Sequence, residues 1–242
     1  METEVSEVAE PALYMLPVGI SDADPSDALP ERTLLLMRSI RHFVVEDLRS
    51  ARRFLRRCHR DIDIDSLTFA VLNEHTPEAD ISSMLEPLRA GEAVAMMSEA
   101  GCPGVADPGA QLAATAQREG LKVVPLVGPS SLLLALMASG MNGQRFAFNG
   151  YLPVDADDRR KSLRQLENCS ARDMSAQIFI ETPYRNARML AAAVEALRPD
   201  TLLCVATALT DRELESVKTM PAAKWKGIEL PKQPTVFIIS RP

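Results

Sequence analysis

The segment Ser98-Glu99-Ala100-Gly101-Cys102-Pro103-Gly104-Val105-Ala106-Asp107-Pro108-Gly109 packs three glycines and two prolines into twelve residues. Glycine lets backbone approach a ligand closely, and proline fixes the path of the chain. Such a loop presents N–H and C=O groups to a small molecule with no bulky side chain in the way. The competing reading is a tight loop ahead of a helix with Asp107 as its N-cap, and composition leaves both open. Gly128-Pro129-Ser130-Ser131 is a second small-residue loop, where the two serines either cap a helix or touch a ligand. Proton transfer needs other groups, and Glu46, Asp47, Arg49 and His75 are the candidates. For the first three the plain alternative is charge at the start of a helix. For His75 it is an exposed or structural imidazole.

Other chemistries lack their residues. There is no GxGxxG fingerprint, no GxxxxGK[ST] phosphate loop and no GxSxG elbow. Cys58, Cys102, Cys169 and Cys204 form no CxxC, and no His/Cys spacing fits a zinc site, so no metal is expected and the thiols read as reduced. The net charge of -6 speaks against a protein that coats nucleic acid nonspecifically. One exception is local. Arg49, Arg52, Arg53, Arg56, Arg57 and Arg60 recur at three- and four-residue steps, either as a solvated helix face or as an RNA-contact stripe. The acidic N-terminus carries no secretory pattern, and the longest apolar run, Leu132–Ala138, is far short of the ~20 residues a bilayer span needs. A cytoplasmic location is expected, with no membrane partner.

The elements that must position these groups alternate regularly. Apolar runs at Leu13–Val18, His42–Val45, Thr68–Leu72, Ala93–Ser98 and Lys122–Val127 are continuous rather than alternating, as in parallel strands buried on both faces. Helical patterns fill Pro30–Ser39, Leu48–Cys58, Ala79–Ala90, Ala110–Glu119 and Ser130–Ser139, with Gly91 and Gly120 as C-terminal caps of the third and fourth. Each β-α-β step takes roughly 25–30 residues, as right-handed crossovers require. A strand Phe146–Leu152 and the charged run Asp155–Lys161 read as an interdomain connection. Helices Arg159–Leu166 and Arg185–Ala196 and strands Gln177–Glu181, Leu202–Thr207, Glu215–Met220 and Thr235–Ser240 follow. The 242 residues, 46% of them hydrophobic, suit two domains. We expect a frayed N-terminus over residues 1–11, a mostly parallel open α/β sheet with flanking helices over 12–143, and a mixed α/β sheet over 144–242. The chemistry-bearing loops all follow strands of the first sheet, where open α/β sheets bind ligands.

On these loops the sequence resembles the tetrapyrrole methylase superfamily, in the branch of the bacterial small-subunit rRNA ribose 2′-O-methyltransferase and its shorter paralogues. Ser98–Gly109 looks like S-D-A-G-T-P-x-x-S-D-P-G, and Val127–Ser131 like P-G-x-S/C-A. Phe146–Pro153 is similar to F-x-F-x-G-F-L-P, and Glu181–Arg185 to E-S/T-P-H/Y-R. Val45–Leu55 resembles A-E-D-T-R-x-T-R-K-L-L, and Asn73-Glu74-His75 resembles H-E-H. The motifs keep their order over nearly the whole chain.

The resemblance implies two α/β domains with S-adenosylmethionine in the cleft between them, S-adenosylhomocysteine as product, and a homodimer. It carries cofactor contacts onto Pro17, Gly19, Glu99, Gly101, Cys102, Val105, Ser130 and Ser131, and onto Glu181, Thr182, Ala208, Leu209, Pro234 and Thr235. Glu46, Asp47, Arg49 and His75 would line the acceptor side. Several positions depart from the pattern. Glu99, Cys102 and Ala106 replace Asp, Thr and Ser, Asn73 replaces His, and Leu48 replaces Thr. Ala206-Thr207-Ala208-Leu209-Thr210-Asp211 stands where the rRNA enzymes read A-R-E-L-T-K. Three readings of the acceptor follow: an rRNA ribose hydroxyl, a tetrapyrrole or other small metabolite, or none, in a paralogue that only binds the cofactor.

Overall fold

Five short apolar runs become five parallel strands in the computed structural model, which describes residues 8–241. They are β1 (Leu13–Met15), β2 (His42–Val45), β3 (Thr68–Val71), β4 (Val94–Met97) and β5 (Val123–Pro125), in the order β3-β2-β4-β1-β5. Alternate residues of the central strands face opposite ways, and both faces are buried. Tyr14, Phe43, Val45, Ala95 and Met97 pack with Leu36 and Met37 of α1 (Glu31–Ser39) and Phe54 and Leu55 of α2 (Leu48–Cys58). Leu13, Met15, Val44, Val94 and Met96 pack with Leu85 and Leu88 and with Leu112 and Ala116. A strand covered on both faces cannot spare polar positions, which is why the sequence shows unbroken apolar runs.

The helix expected over Ala79–Ala90 is broken into α3 (Glu78–Ile81), a 3-10 turn (Ser82–Leu85) and α4 (Glu86–Arg89). Pro87 supplies the reason: it has no N–H, and its ring would clash with the carbonyl of Ser83 in a continuous helix. α4 and α5 (Gly109–Arg118) end at the expected caps. Gly91 N–H donates to Leu88 O and Glu92 N–H to Pro87 O, both at 3.0 Å; Gly120 and Leu121 repeat the pattern on Gln117 and Ala116 at 3.1 and 2.9 Å.

The second sheet contains β6 (Phe146–Tyr151), β7 (Ala176–Glu181), β8 (Leu202–Thr207), β9 (Ser216–Pro221) and β10 (Thr235–Ser240), in the order β6-β7-β10-β8-β9. Only β6 and β7 are parallel, so the sheet is mixed, as expected. The run Phe146–Tyr151 is an edge strand of this sheet. Phe179 and Phe237, register partners on β7 and β10, stack with ring centroids 5.2 Å apart. Three helices serve this sheet: α6 (Ser131–Ser139), α7 (Ala156–Asp173) and α8 (Asn186–Ala196). α7 is longer than the expected Arg159–Leu166. Asp155 accepts the N–H groups of Asp157 and Asp158 at 3.0 Å, so the charged run expected to connect the domains forms its first turns.

The chain divides into two compact units, residues 1–130 and 131–242, where the sequence suggests 143/144. The difference is α6, which packs on β8, β9 and β10. Apolar on all sides, α6 has no polar face by which its sequence could indicate a sheet. Of the N-terminal segment 1–11, residues 1–7 lie outside the described residues. Beyond them, Ala9 N–H donates to Ser39 Oγ at 2.9 Å and Glu10 pairs with Lys122 at 3.0 Å. No described helix is long and apolar enough to cross a membrane.

One topological feature places the site. β1 and β4 are neighbours, but α1 after β1 covers one face of the sheet and α5 after β4 covers the other. The loops that leave these two strands start side by side and run to opposite faces, the position at which open α/β sheets bind ligands.

Candidate functional site

The loops that leave β1 and β4 are tied together. Val18 N–H donates to Gly101 O at 2.9 Å in an isolated antiparallel bridge. Gly101 has φ +74°, and a Cβ there would press on Ile20 and on Pro129 O. Ser98, buried at the end of β4, donates its hydroxyl to Ala100 O and Gly101 O at 3.2 and 3.4 Å. The loop after β5 joins from the other side. Gly128 lies so close to Pro17 that a Cβ would sit 2.3 Å from the ring. The Cys102 thiol donates to Pro129 O at 3.3 Å. Pro17, Gly19, Gly101, Cys102 and the Gly128–Ser130 loop are thus brought together. Ser131 opens α6 in the second unit.

Asp107 holds the rest of the loop. Its carboxylate accepts Gly104 N–H at 2.9 Å and Gly109 N–H at 2.7 Å. Pro108, not Asp107, occupies the cap position of α5, so Asp107 serves loop and helix start at once. Burial raises its carboxyl above the usual range, partly offset by the N–H groups of Gly104, Gly109 and Val105. Burial, with Asp107 nearby, also pushes up the Cys102 thiol, which is therefore neutral.

Glu46, at the end of β2, reaches the same loop: its Oε2 accepts the N–H of Glu99 at 3.2 Å. Burial raises its carboxyl, the bond from Glu99 N–H opposes this, and the charges of Glu99, Asp107 and Asp47 raise it further. Four carboxylates therefore share one electrostatic neighbourhood. Asp47 points elsewhere. It caps α2, accepting Ser50 N–H at 2.7 Å, and that bond lowers its pKa. Arg49 is exposed on the first turn of α2. His75 has an 84% exposed side chain 3.5 Å from Glu74, with its backbone N–H on Asn73 Oδ1 at 2.9 Å. Of the four proton-transfer candidates, only Glu46 bonds to the loop. Among the described residues no group of His, Cys, Asp and Glu is arranged to hold a metal.

The second unit gathers its own set at one end of its sheet. Glu181, Thr207 and Thr235 are register partners across β7, β10 and β8. The Glu181 carboxylate, 4% exposed, accepts Arg185 Nη2 at 2.6 Å, Arg185 Nε at 2.8 Å and Thr182 N–H at 2.7 Å. Ala208 N–H donates to Pro234 O at 2.9 Å. Ala208 and Thr210 have φ +51° and +68°, left-handed backbone that costs about 1–3 kcal/mol in a residue with a side chain. Such strain persists where the surroundings enforce it, here at the segment whose charged residues are absent.

Two residues escaped the sequence reading as site members. Arg185 was read only as the end of a motif, yet it neutralises Glu181. Asn186, 1% exposed, donates to Gln233 O at 2.6 Å and Thr235 Oγ1 at 2.8 Å, tying the segment before β10 to α8. An asparagine at the first position of α8 was the available signal.

The model of the tetrapyrrole (corrin/porphyrin) methylases matches residues 12–223. The chain is similar to a protein of Vibrio cholerae named ribosomal RNA small subunit methyltransferase I, 30% identical over 88% of this chain and 70% of that one. A protein of the same name from Mesorhizobium japonicum is 35% identical over 87% of this chain and 67% of its own. Among solved structures, the methyltransferase CobJ matches with a TM-score of 0.62 at 18% identity, over 96% of this chain and 99% of that one. Uroporphyrin-III C-methyltransferase of Thermus thermophilus, complexed with S-adenosylhomocysteine, matches with a TM-score of 0.57 at 17% identity, over 95% and 97%. At those identities the two structures share the fold.

Proposed function

This chain belongs to the tetrapyrrole methylase family and is an S-adenosylmethionine-dependent methyltransferase; from that premise we propose that its acceptor is a ribose 2′-hydroxyl of small-subunit ribosomal RNA. The observation that carries the small-subunit RNA is the name shared by relatives at least 30% identical over more than four-fifths of this chain, and the ribose hydroxyl is what the family resemblance implies.

The residues present fit the cofactor. The loops of Pro17–Gly19, Gly101–Cys102 and Gly128–Ser130 leave little side chain in the way, and the carboxylates of Glu46, Glu99 and Asp107 complement a sulfonium cation. Val105 and Ser131 in the same motifs, and Glu181, Thr182, Ala208, Leu209, Pro234 and Thr235 in the second unit, complete the proposed contacts. When bound, the cofactor supplies an electrophilic methyl group. The chain's part is to orient the acceptor and take its proton. Glu46 suits that task best, because its raised pKa moves it toward the range where a base is effective. Asp47 is committed to its helix, while Arg49 and His75 remain available to the acceptor side. The same reading makes the protein a cytoplasmic homodimer.

The test is labelled methyl transfer from S-adenosylmethionine into small ribosomal subunits, compared with transfer, large-subunit RNA and small-molecule extracts. Label should enter small-subunit rRNA and survive in alkali-resistant dinucleotides, because a 2′-O-methyl blocks cleavage. Label only in the small-molecule fraction would overturn the acceptor assignment. Tight cofactor binding with no transfer to any fraction would make the chain a binding paralogue.

A further inference from the structure

Residues 38–60 hold eight of the chain's 27 Lys and Arg residues in a protein of net charge -6. The structure sorts these eight. Arg52 pairs with Asp65 at 3.1 Å and lies over the Phe69 ring, and Arg57 pairs with Asp22 at 3.5 Å. Arg41, Arg53, Arg56 and Arg60 are exposed and make no ion pair among the described residues. α2 starts beside Glu46 and ends beside a cavity of about 550 Å³ at the opposite end of β2, lined by Arg38, Arg41, His59, Arg60 and two aspartates. An eleven-residue helix spans about 16 Å.

Arginines outnumber carboxylates in this cavity, three to two. Arg38 Nε lies 2.8 Å from His59 Nδ1 and 2.7 Å from His59 Nε2, and Nε2 lies 3.1 Å from Leu34 O, so the imidazole holds the guanidinium by its Nε edge. Burial, and then Arg38, lower the His59 pKa, keeping the ring neutral as an acceptor requires. Arg38 is thereby held through Nε, and its two terminal amino groups have no partner among the described residues. They remain free in the fork geometry that suits a phosphate. Two carboxylates and one thiol share the cavity with its three arginines. Burial pushes the Cys58 thiol up to about 12, so it stays uncharged, and Asp63 accepts Asp65 N–H at 3.3 Å. Asp61 is the remaining carboxylate on the rim.

We propose that the outer face of α2 and the Arg38–Arg41–Arg60 cavity at its end hold backbone phosphates of the RNA strand leading to the methylated nucleotide. This rests on the RNA acceptor proposed above. Phosphate contacts set register and orientation and leave sequence to other groups. Such a track would let an acidic protein hold RNA on one face only.

The test compares wild type, Arg41→Glu/Arg60→Glu, Arg41→Lys/Arg60→Lys and His59→Phe, full length, for binding to a short single-stranded RNA at several salt concentrations. The glutamate pair should weaken binding about tenfold or more and lower the log–log salt slope by about 1.4 for two lost contacts. The lysine pair should retain most of the affinity. His59→Phe should weaken RNA less than the glutamate pair, with His59→Gln restoring it. S-adenosylhomocysteine affinity and melting temperature should be unchanged throughout, which separates lost contact from lost fold. A salt-dependent wild type whose affinity and slope survive the glutamate pair would overturn the track and leave the acceptor reading intact. A wild type that binds the cofactor but no RNA would overturn both. Saturation by inorganic phosphate, with nothing gained from the oligonucleotide, would reduce the cavity to a free-anion site and overturn the track.

Discussion

The carboxylate of Glu46 and the backbone N–H of Glu99 meet at 3.2 Å, although 53 positions separate them in the chain. β2 and β4 are neighbours in the sheet, so the residue that ends one strand reaches the loop that leaves the other. This contact joins the acid proposed for proton transfer to the loop proposed for the cofactor.

Glu46→Gln should keep the loop contact and lose the base. We expect kcat to fall about 10²–10⁴-fold, with cofactor affinity within a few-fold of wild type. Burial raises this carboxyl, so wild-type activity should fall with acid through an apparent pKa above the ordinary 4.5 of glutamate, and the variant should lack that limb. A pH–rate profile measured on both checks this, and identical profiles would remove Glu46 as base.

Asp47 should act on stability and not on chemistry. Asp47→Ala removes the cap of α2 and should cost about 1 kcal/mol. The Ser50 N–H lowers the Asp47 pKa in the folded chain, so its stabilisation is present above the unfolded value near 3.8 and is lost as pH falls through the lower folded value. Denaturant melts at neutral and acid pH should converge for wild type and variant. A large loss of kcat in a folded variant would contradict the assignment.

Gly128→Ala should fail sterically. The new methyl would lie 2.3 Å from the Pro17 ring, and neither the ring nor the adjoining Pro129 can swing away. Overpacking of this kind costs about 1–3 kcal/mol. Because the displaced segments carry the proposed cofactor contacts, calorimetry should show weaker S-adenosylhomocysteine binding even where the protein remains folded. Unchanged affinity would place the cofactor elsewhere.

Arg185→Ala leaves the Glu181 carboxylate buried without its cation. Breaking a buried pair this way costs about 3–5 kcal/mol, and thermal unfolding should show it clearly. Arg185→Lys should recover part of the loss, since it restores charge without the two-pronged geometry. Equal stability of all three proteins would show that Glu181 finds another partner.

Much of the fold was legible because burial on two faces leaves a mark in one dimension. The runs at His42–Val45 and Leu202–Thr207 became strands with those bounds, and Gly91 and Gly120 fell where helices end. The third helix was misread because one proline, Pro87, breaks a pattern otherwise helical. The start of α7 was missed because a capped first turn and a charged connection use the same residue types. α6 was assigned to the wrong side of the boundary between the units because an all-apolar helix names no partner.

For the candidate site, residue types singled out Ser98–Gly109 and Gly128–Ser131, and the family resemblance singled out Glu181–Arg185. A loop bared of side chains has to be written with glycine and proline, wherever the chain places it. Which groups meet across segments was decided by strand order. Adjacency of β1, β4 and β2 put Val18 on Gly101 and Glu46 on Glu99, whereas Asp47 turned to Ser50 of its own helix by a local cap. Side-chain direction depends on pairings dozens of residues apart, and no local pattern carries that information.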